Sequence, residues 1–265
     1  MNLLLPGAYV AADSALHRLD PRVKMGAALL LMALPFAAPG LESSLLLLVF
    51  VAFIIYVSTA PLPAVLRTLH TIVWVGFFMF FFYLFTTPGR SLVAWGGIAI
   101  TWEGILAGVR QIYRLCLLVI IAALLTFTTS PSQLAHGLEA LLGPLARLGL
   151  PVRELAMVLT IALRFVPTLS DEVDKIIKAQ RSRGLDSVSM NPFHRVRSWV
   201  PAFVPIFVSA FRRAEDLAVA MEARGFRGAV YRTRLYRLRL TRRDLAAALI
   251  VLAFTLVVAG VDRLM

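Results

Sequence analysis

The 265 residues are 59% hydrophobic and 16% charged, with a mean hydropathy of +0.80, a balance too apolar for a soluble domain and one that sends the excess into lipid. A single cysteine, Cys116, excludes an internal disulfide, and four scattered histidines, His17, His70, His136 and His194, lack the paired spacing of metal ligands. The net charge of +12 is concentrated in residues 131–243, which hold 19 Arg or Lys against 9 Asp or Glu, so the basic surface belongs beside the membrane on its cytoplasmic side.

Residues 1–24 form a polar N-terminal segment expected inside the cell. The apolar run after it is followed at once by others, which is not the layout of a cleaved signal peptide. Asp20, Pro21, Arg22 and Lys24 close the segment and read as a helix start, with an acidic cap, a proline in the first turn and inside-facing cations.

Residues 25–130 carry four expected membrane helices. The first covers 25–39 and is broken at Pro35; the second covers 41–60, closed by Pro61-Leu62-Pro63; the third covers 69–87, closed by Pro88-Gly89. Each comes close to the roughly 20 residues that cross a hydrocarbon layer of about 30 Å. Trp95-Gly96-Gly97 followed by 98–101 reads as a tight turn into a short extended piece on the outer side. The fourth helix, 103–127, carries Arg110 and Arg114 on one face, so its lipid-buried part is expected at 115–127, with the arginines at the outer surface or in a polar cleft. Gly104 and Gly108 give the GxxxG spacing that allows close helix approach.

Residues 131–243 read as a folded helical block. A short helix runs from Pro131 to Leu142. A longer one opens at Pro151, is apolar over 155–169 except for Arg164, bends at Pro167 and stops at Arg183-Gly184. On its solvated side Asp171 precedes Lys175, and Asp174 precedes Lys178, by four residues. A second long helix begins near Trp199, repeats apolar residues at Val200, Phe203, Val204, Phe207 and Phe211, and stops at Arg224-Gly225. Residues 244–265 then supply a fifth span at 245–260. With five crossings, Arg18, Arg22, Lys24, Arg67 and the basic block all fall on one side, which puts the amino terminus inside and Met265 outside. The fold expected is an all-α, polytopic membrane helical bundle with long amphipathic cytoplasmic helices.

Both long helices end in a small residue, an arginine and a glycine, Ser182-Arg183-Gly184 and Ala223-Arg224-Gly225, 41 positions apart. Glycine after a helix is a common left-handed cap, and a cation in the last turn suits the negative helix end. The second reading is docking: an extended guanidinium at a narrow helix end can enter a groove and fork onto a carboxylate.

At these residues the sequence resembles the transmembrane T component of energy-coupling factor transporters, the vitamin and trace-metal importers of prokaryotes. The resemblance runs from Asp13-Ser14 and His17-Arg18-Leu19-Asp20-Pro21-Arg22-Val23-Lys24 through Thr128-Thr129-Ser130-Pro131 and Ala162-Leu163-Arg164-Phe165-Val166-Pro167-Thr168. It continues with Lys178-Ala179-Gln180-Arg181-Ser182-Arg183-Gly184, Arg212-Arg213-Ala214-Glu215-Asp216-Leu217 and Met221-Glu222-Ala223-Arg224-Gly225-Phe226. It implies that the two long helices are coupling helices whose triplets dock into two ATP-binding-cassette ATPase subunits, with Ser182 replacing an alanine. It also implies a small integral membrane substrate-binding subunit as partner, a prokaryotic plasma-membrane location and no catalytic or cofactor site in this chain. No G-x-x-x-x-G-K-[ST] phosphate loop occurs. A permease subunit of a conventional ATP-binding-cassette transporter is the alternative. A membrane-anchored binder of anionic lipid or nucleic acid comes after it, with lipid contacts expected from Arg227 to Arg243 within the eight arginines of 224–243. Alternating acids and bases in a half-apolar block argue against nucleic acid.

Overall fold

The computed structural model describes residues 14–38, 40–59, 62–95, 98–183, 192–226, 228 and 240–264. Their elements, in order, are α1 (Pro21–Ala37), α2 (Leu41–Ser58), α3 (Leu62–Thr86), β1 (Ser91–Trp95), β2 (Ile98–Thr101), α4 (Trp102–Thr128) and α5 (Pro131–Leu141). A 3-10 helix (Gly143–Leu148), α6 (Val152–Ser182), α7 (Pro192–Ala223) and α8 (Arg242–Leu264) complete them. The chain divides into two compact units, Met1–Gly137 with Arg237–Met265, and Leu138–Tyr236.

In the first unit α1 starts four residues earlier than the apolar run. Proline at the first helical position has no N–H to lose, and the Asp20 carboxylate accepts the Arg22 N–H at 2.9 Å. Pro35 does not break the helix, which runs two residues beyond it to Ala37 although position 35 has no N–H to give the Leu31 carbonyl. As at Pro21, a first-turn proline loses no bond, so α3 starts at Leu62 and takes Pro63 into its first turn, seven residues ahead of the expected start.

Hydrogen bonds at the two ends of this unit fix the direction of its helices. At one end Asp20, just before α1, meets Asp244 at the start of α8, and Lys24 meets Thr128 at the end of α4. At the other, the Gly40 N–H at the start of α2 donates to Asp262 near the end of α8 at 2.8 Å. Helices α1, α2, α3, α4 and α8 therefore alternate, as five crossings require. Four of them, α2, α3, α4 and α8, are long and apolar enough to cross a membrane by length and composition. At 17 residues α1 is shorter, rising about 25 Å, and it spans from the start of α8 to the level of Asp262 near the end of α8.

Leu47, Val51, Leu117, Ile121 and Val258 form the core of this bundle, with Phe50 stacked on Phe254 at 3.9 Å between ring centroids. Leu45, Val49 and Phe53 of α2 and Trp74, Phe77 and Phe78 of α3 remain exposed, an arrangement suited to lipid. The glycines of α4 are used for close approach: a Cβ on Gly104 would stand 3.0 Å from the Tyr83 carbonyl oxygen, and one on Gly108 2.6 Å from the Phe80 ring. Before α4, β1 and β2 pair antiparallel with Val93 opposite Ile100, so the expected extended piece is a hairpin; Gly96 and Gly97 lie outside the described residues. Thr101 caps α4 by accepting the Gly104 N–H. The Tyr113 hydroxyl donates to the Ser44 carbonyl and Arg114 lies 5.4 Å over the Phe36 ring. The middle of α4 thus stands level with the α1–α2 turn, and Arg110 and Arg114 fall near that level.

In the second unit α6 runs 31 residues, through Pro167, and α7 runs 32 from Pro192, seven residues before Trp199. They pack on each other. The α7 stripe of Val200, Phe203, Val204, Phe207 and Phe211 is left exposed, whereas Ala202 is buried.

Candidate functional site

The end of α7 is a complete Schellman motif. Gly225 has φ +76°, its N–H donates to the Glu222 carbonyl at 2.9 Å, and the Phe226 N–H reaches back to Met221 at 3.0 Å. Arg224 supplies its backbone N–H, shared between the Met221 and Ala220 carbonyls at 3.2 and 3.3 Å. The space around Gly225 is open, with nothing within 4 Å of an added Cβ, so the glycine serves conformation and not clearance. Gly225→Ala is expected to cost about 1–2 kcal/mol at this helix end, and Gly225→Asn less, since asparagine tolerates the left-handed region. Thermal melts of the purified subunit check the order.

Arg183 ends α6, its N–H donating to Gln180 at 3.0 Å. Gly184 lies outside the described residues. The Ser182 hydroxyl donates to the Lys178 carbonyl at 3.2 Å, a bond within its own helix that adds little. Ser182→Ala is therefore expected to leave transport within about twofold of wild type, a comparison that uptake at matched protein levels makes directly. Ala223 is the last residue of α7, and all of Ser182, Arg183, Ala223, Arg224 and Gly225 are exposed. Among the described residues no side-chain hydrogen bond or ion pair engages the Arg183 or Arg224 guanidinium. Each presents five planar donors to solvent.

An interhelical contact that the sequence reading passed over relates the two ends. Arg213 of α7 places Nη2 2.8 Å from Glu172 Oε2 of α6, and the Ser209 hydroxyl donates to the other oxygen of Glu172. The Arg213 approach is off the line of a hydrogen bond, since Oε2 has none, but it is within ion-pair reach. The acid that α6 turns to α7 in this contact is thus Glu172. Arg183 lies 11 residues beyond Glu172 and Arg224 lies 11 beyond Arg213, so both stand about 16 Å along their helices from the same bridge. The signal was available: 172 and 213 are separated by the same 41 positions as the two triplets.

The amino-terminal residues form a second arrangement. Asp20 and Lys24 are buried. The Lys24 ammonium donates to the carbonyls of Thr128, at 2.9 Å, and His17, at 3.1 Å. Asp244 accepts the Asp20 N–H on one oxygen at 2.7 Å, and on the other both the N–H and hydroxyl of Thr241, at 2.8 and 2.6 Å. Pro21 is buried in the first turn of α1 and Arg22 is half-buried there. Helix capping by Asp20 is present, as the sequence suggests, and the long-range contacts to Thr128 and Asp244 are additional.

Comparison with known proteins gives the same direction. The family described as cobalt transport protein, CbiQ, matches residues 12–236. The chain is 45% identical over 248 residues to the energy-coupling factor transporter transmembrane protein EcfT of Ruminiclostridium cellulolyticum, covering 94% of this chain and 93% of that protein. It is 46% identical to that of Heliobacterium modesticaldum, covering 92% of each, and 40% identical to that of Bacillus subtilis, covering 96% of this chain and 97% of the relative.

Proposed function

The chain belongs to the family of energy-coupling factor transporter transmembrane proteins, a multi-pass, non-catalytic subunit of the bacterial plasma membrane, and we propose that it couples two ATP-binding-cassette ATPase subunits to a small integral membrane substrate-binding subunit. The cargo class is a vitamin or a trace metal. In this reading the 131–243 block is cytoplasmic, α6 and α7 are the coupling helices, and Ser182-Arg183-Gly184 and Ala223-Arg224-Gly225 dock into the ATPases.

The observation that carries the proposal is the pair of exposed guanidinium groups at equal distances beyond one interhelical bridge. A helix end serving only as a cap needs the backbone donors and the glycine, and both are already in use at α7 without the arginine side chain. Two identical reaches suit two similar partners. Gentle purification from native membranes, with identification of every co-purifying component, tests it. ATPase subunits and a small hydrophobic membrane protein are expected, and nucleic acid is not; a chain recovered in quantity without ATPases refutes the proposal.

A further inference from the structure

Two stretches of chain join the unit of residues 138–236 to the membrane bundle: the exit from α4 through α5, and the return into α8. Both are fastened to one turn of α1. At the exit, Lys24 donates to the carbonyl of Thr128, the last residue of α4. Further along, Gly137 of α5 fits so closely that a Cβ there would stand 3.1 Å from both the Pro21 Cβ and the Met25 Sδ. At the return, Asp244 in the first turn of α8 takes the Asp20 N–H. Burying a lysine and two carboxylates is an expensive way to hold helices together, and apolar packing often stabilises as well. What directed hydrogen bonds add is a fixed relative position. Backbone carbonyls cannot be traded for other partners without moving the segment that carries them.

We infer that Lys24, with Asp20 and Asp244, is a clamp that delivers movement of the 138–236 unit to α1, so that these are positioning residues for energy coupling. The inference rests on the coupling function proposed above. A clamp of this kind does not bind ATPases and does not set their turnover. Its loss separates ATP hydrolysis from movement of the membrane helices.

The test uses the purified complex with its ATPases, in a Cys116-free background, with a nitroxide on a cysteine at residue 29, an exposed position of α1. ATP with vanadate is the probe, so no transported substrate is needed. The wild-type label is expected to change mobility on trapping. Lys24→Met and Asp244→Asn are expected to keep ATPase recovery and ATP hydrolysis within twofold while shrinking that change at least fivefold, and Lys24→Arg, which can still donate to both carbonyls, restores it. A full-sized change in both variants, or a wild-type label indifferent to ATP, overturns the clamp. So does loss of ATPase recovery in both variants, which makes the cluster structural alone. A wild-type preparation that brings no ATPases refutes the coupling reading instead.

Discussion

The double variant Arg183→Ala, Arg224→Ala is expected to insert and fold normally while recovering less than a tenth of the wild-type amount of ATPase subunits, with uptake lost in proportion. The two roles open to these side chains differ enough in magnitude to be separated. As cations beside helix ends they contribute about 0.3–1 kcal/mol each, less under salt, and lysine would serve as well. As forks buried in a partner's groove, each truncation costs roughly 2–5 kcal/mol of association, about 30-fold or more in affinity, and lysine is a poor substitute because it cannot make the planar pair of bonds. The structure favours the second scale, since the cap at α7 is built from the Gly225 and Phe226 N–H groups and the Arg224 side chain is exposed. Each single variant should fall between wild type and the double. The measurement is ATPase recovery in the purified complex set beside thermal stability of the isolated subunit. Recovery and uptake unchanged in the double variant would leave capping as the whole role.

How much of this was legible follows the range of the interactions. Hydropathy found every membrane-length helix because lipid exposure acts residue by residue. Boundaries failed at prolines in two ways: Pro63 was read as closing the second span but sits in the first turn of α3, where the missing N–H is cheap, and Pro35 was read as a break although α1 runs two residues beyond it. The face of α7 was legible as a stripe, but sequence periodicity cannot say whether a stripe is covered, and Phe203, Phe207 and Phe211 stand exposed. The contacts that bring sites together were out of reach. Asp20 and Asp244 are 224 positions apart and Lys24 and Thr128 are 104 apart, and no local pattern couples such distances.

Glu172 and Arg213 offer the sharpest test of whether geometry, and not mere presence, matters at the two arginine ends. Both side chains are about one-third exposed, so as a stabilising pair they are worth no more than about 1 kcal/mol, and reversing one charge should lower the thermal stability of the isolated subunit only modestly. Two-site docking makes a larger demand. When two contacts must be made by one rigid piece, the second is favoured only if the spacing fits, and a misfit forfeits most of the gain from joining them. Glu172→Arg opposes two cations across the bridge and forces α6 and α7 apart at the point from which both reaches are measured. It is expected to lower ATPase recovery about tenfold, far more than its effect on melting would suggest. The exchange Glu172→Arg with Arg213→Glu rebuilds the pair with its polarity reversed and is expected to return recovery to within about twofold, although Ser209 then loses its acceptor. Recovery untouched by the single reversal, or an exchange that rescues melting but not recovery, would show that the bridge holds the helices together without setting the positions of Arg183 and Arg224.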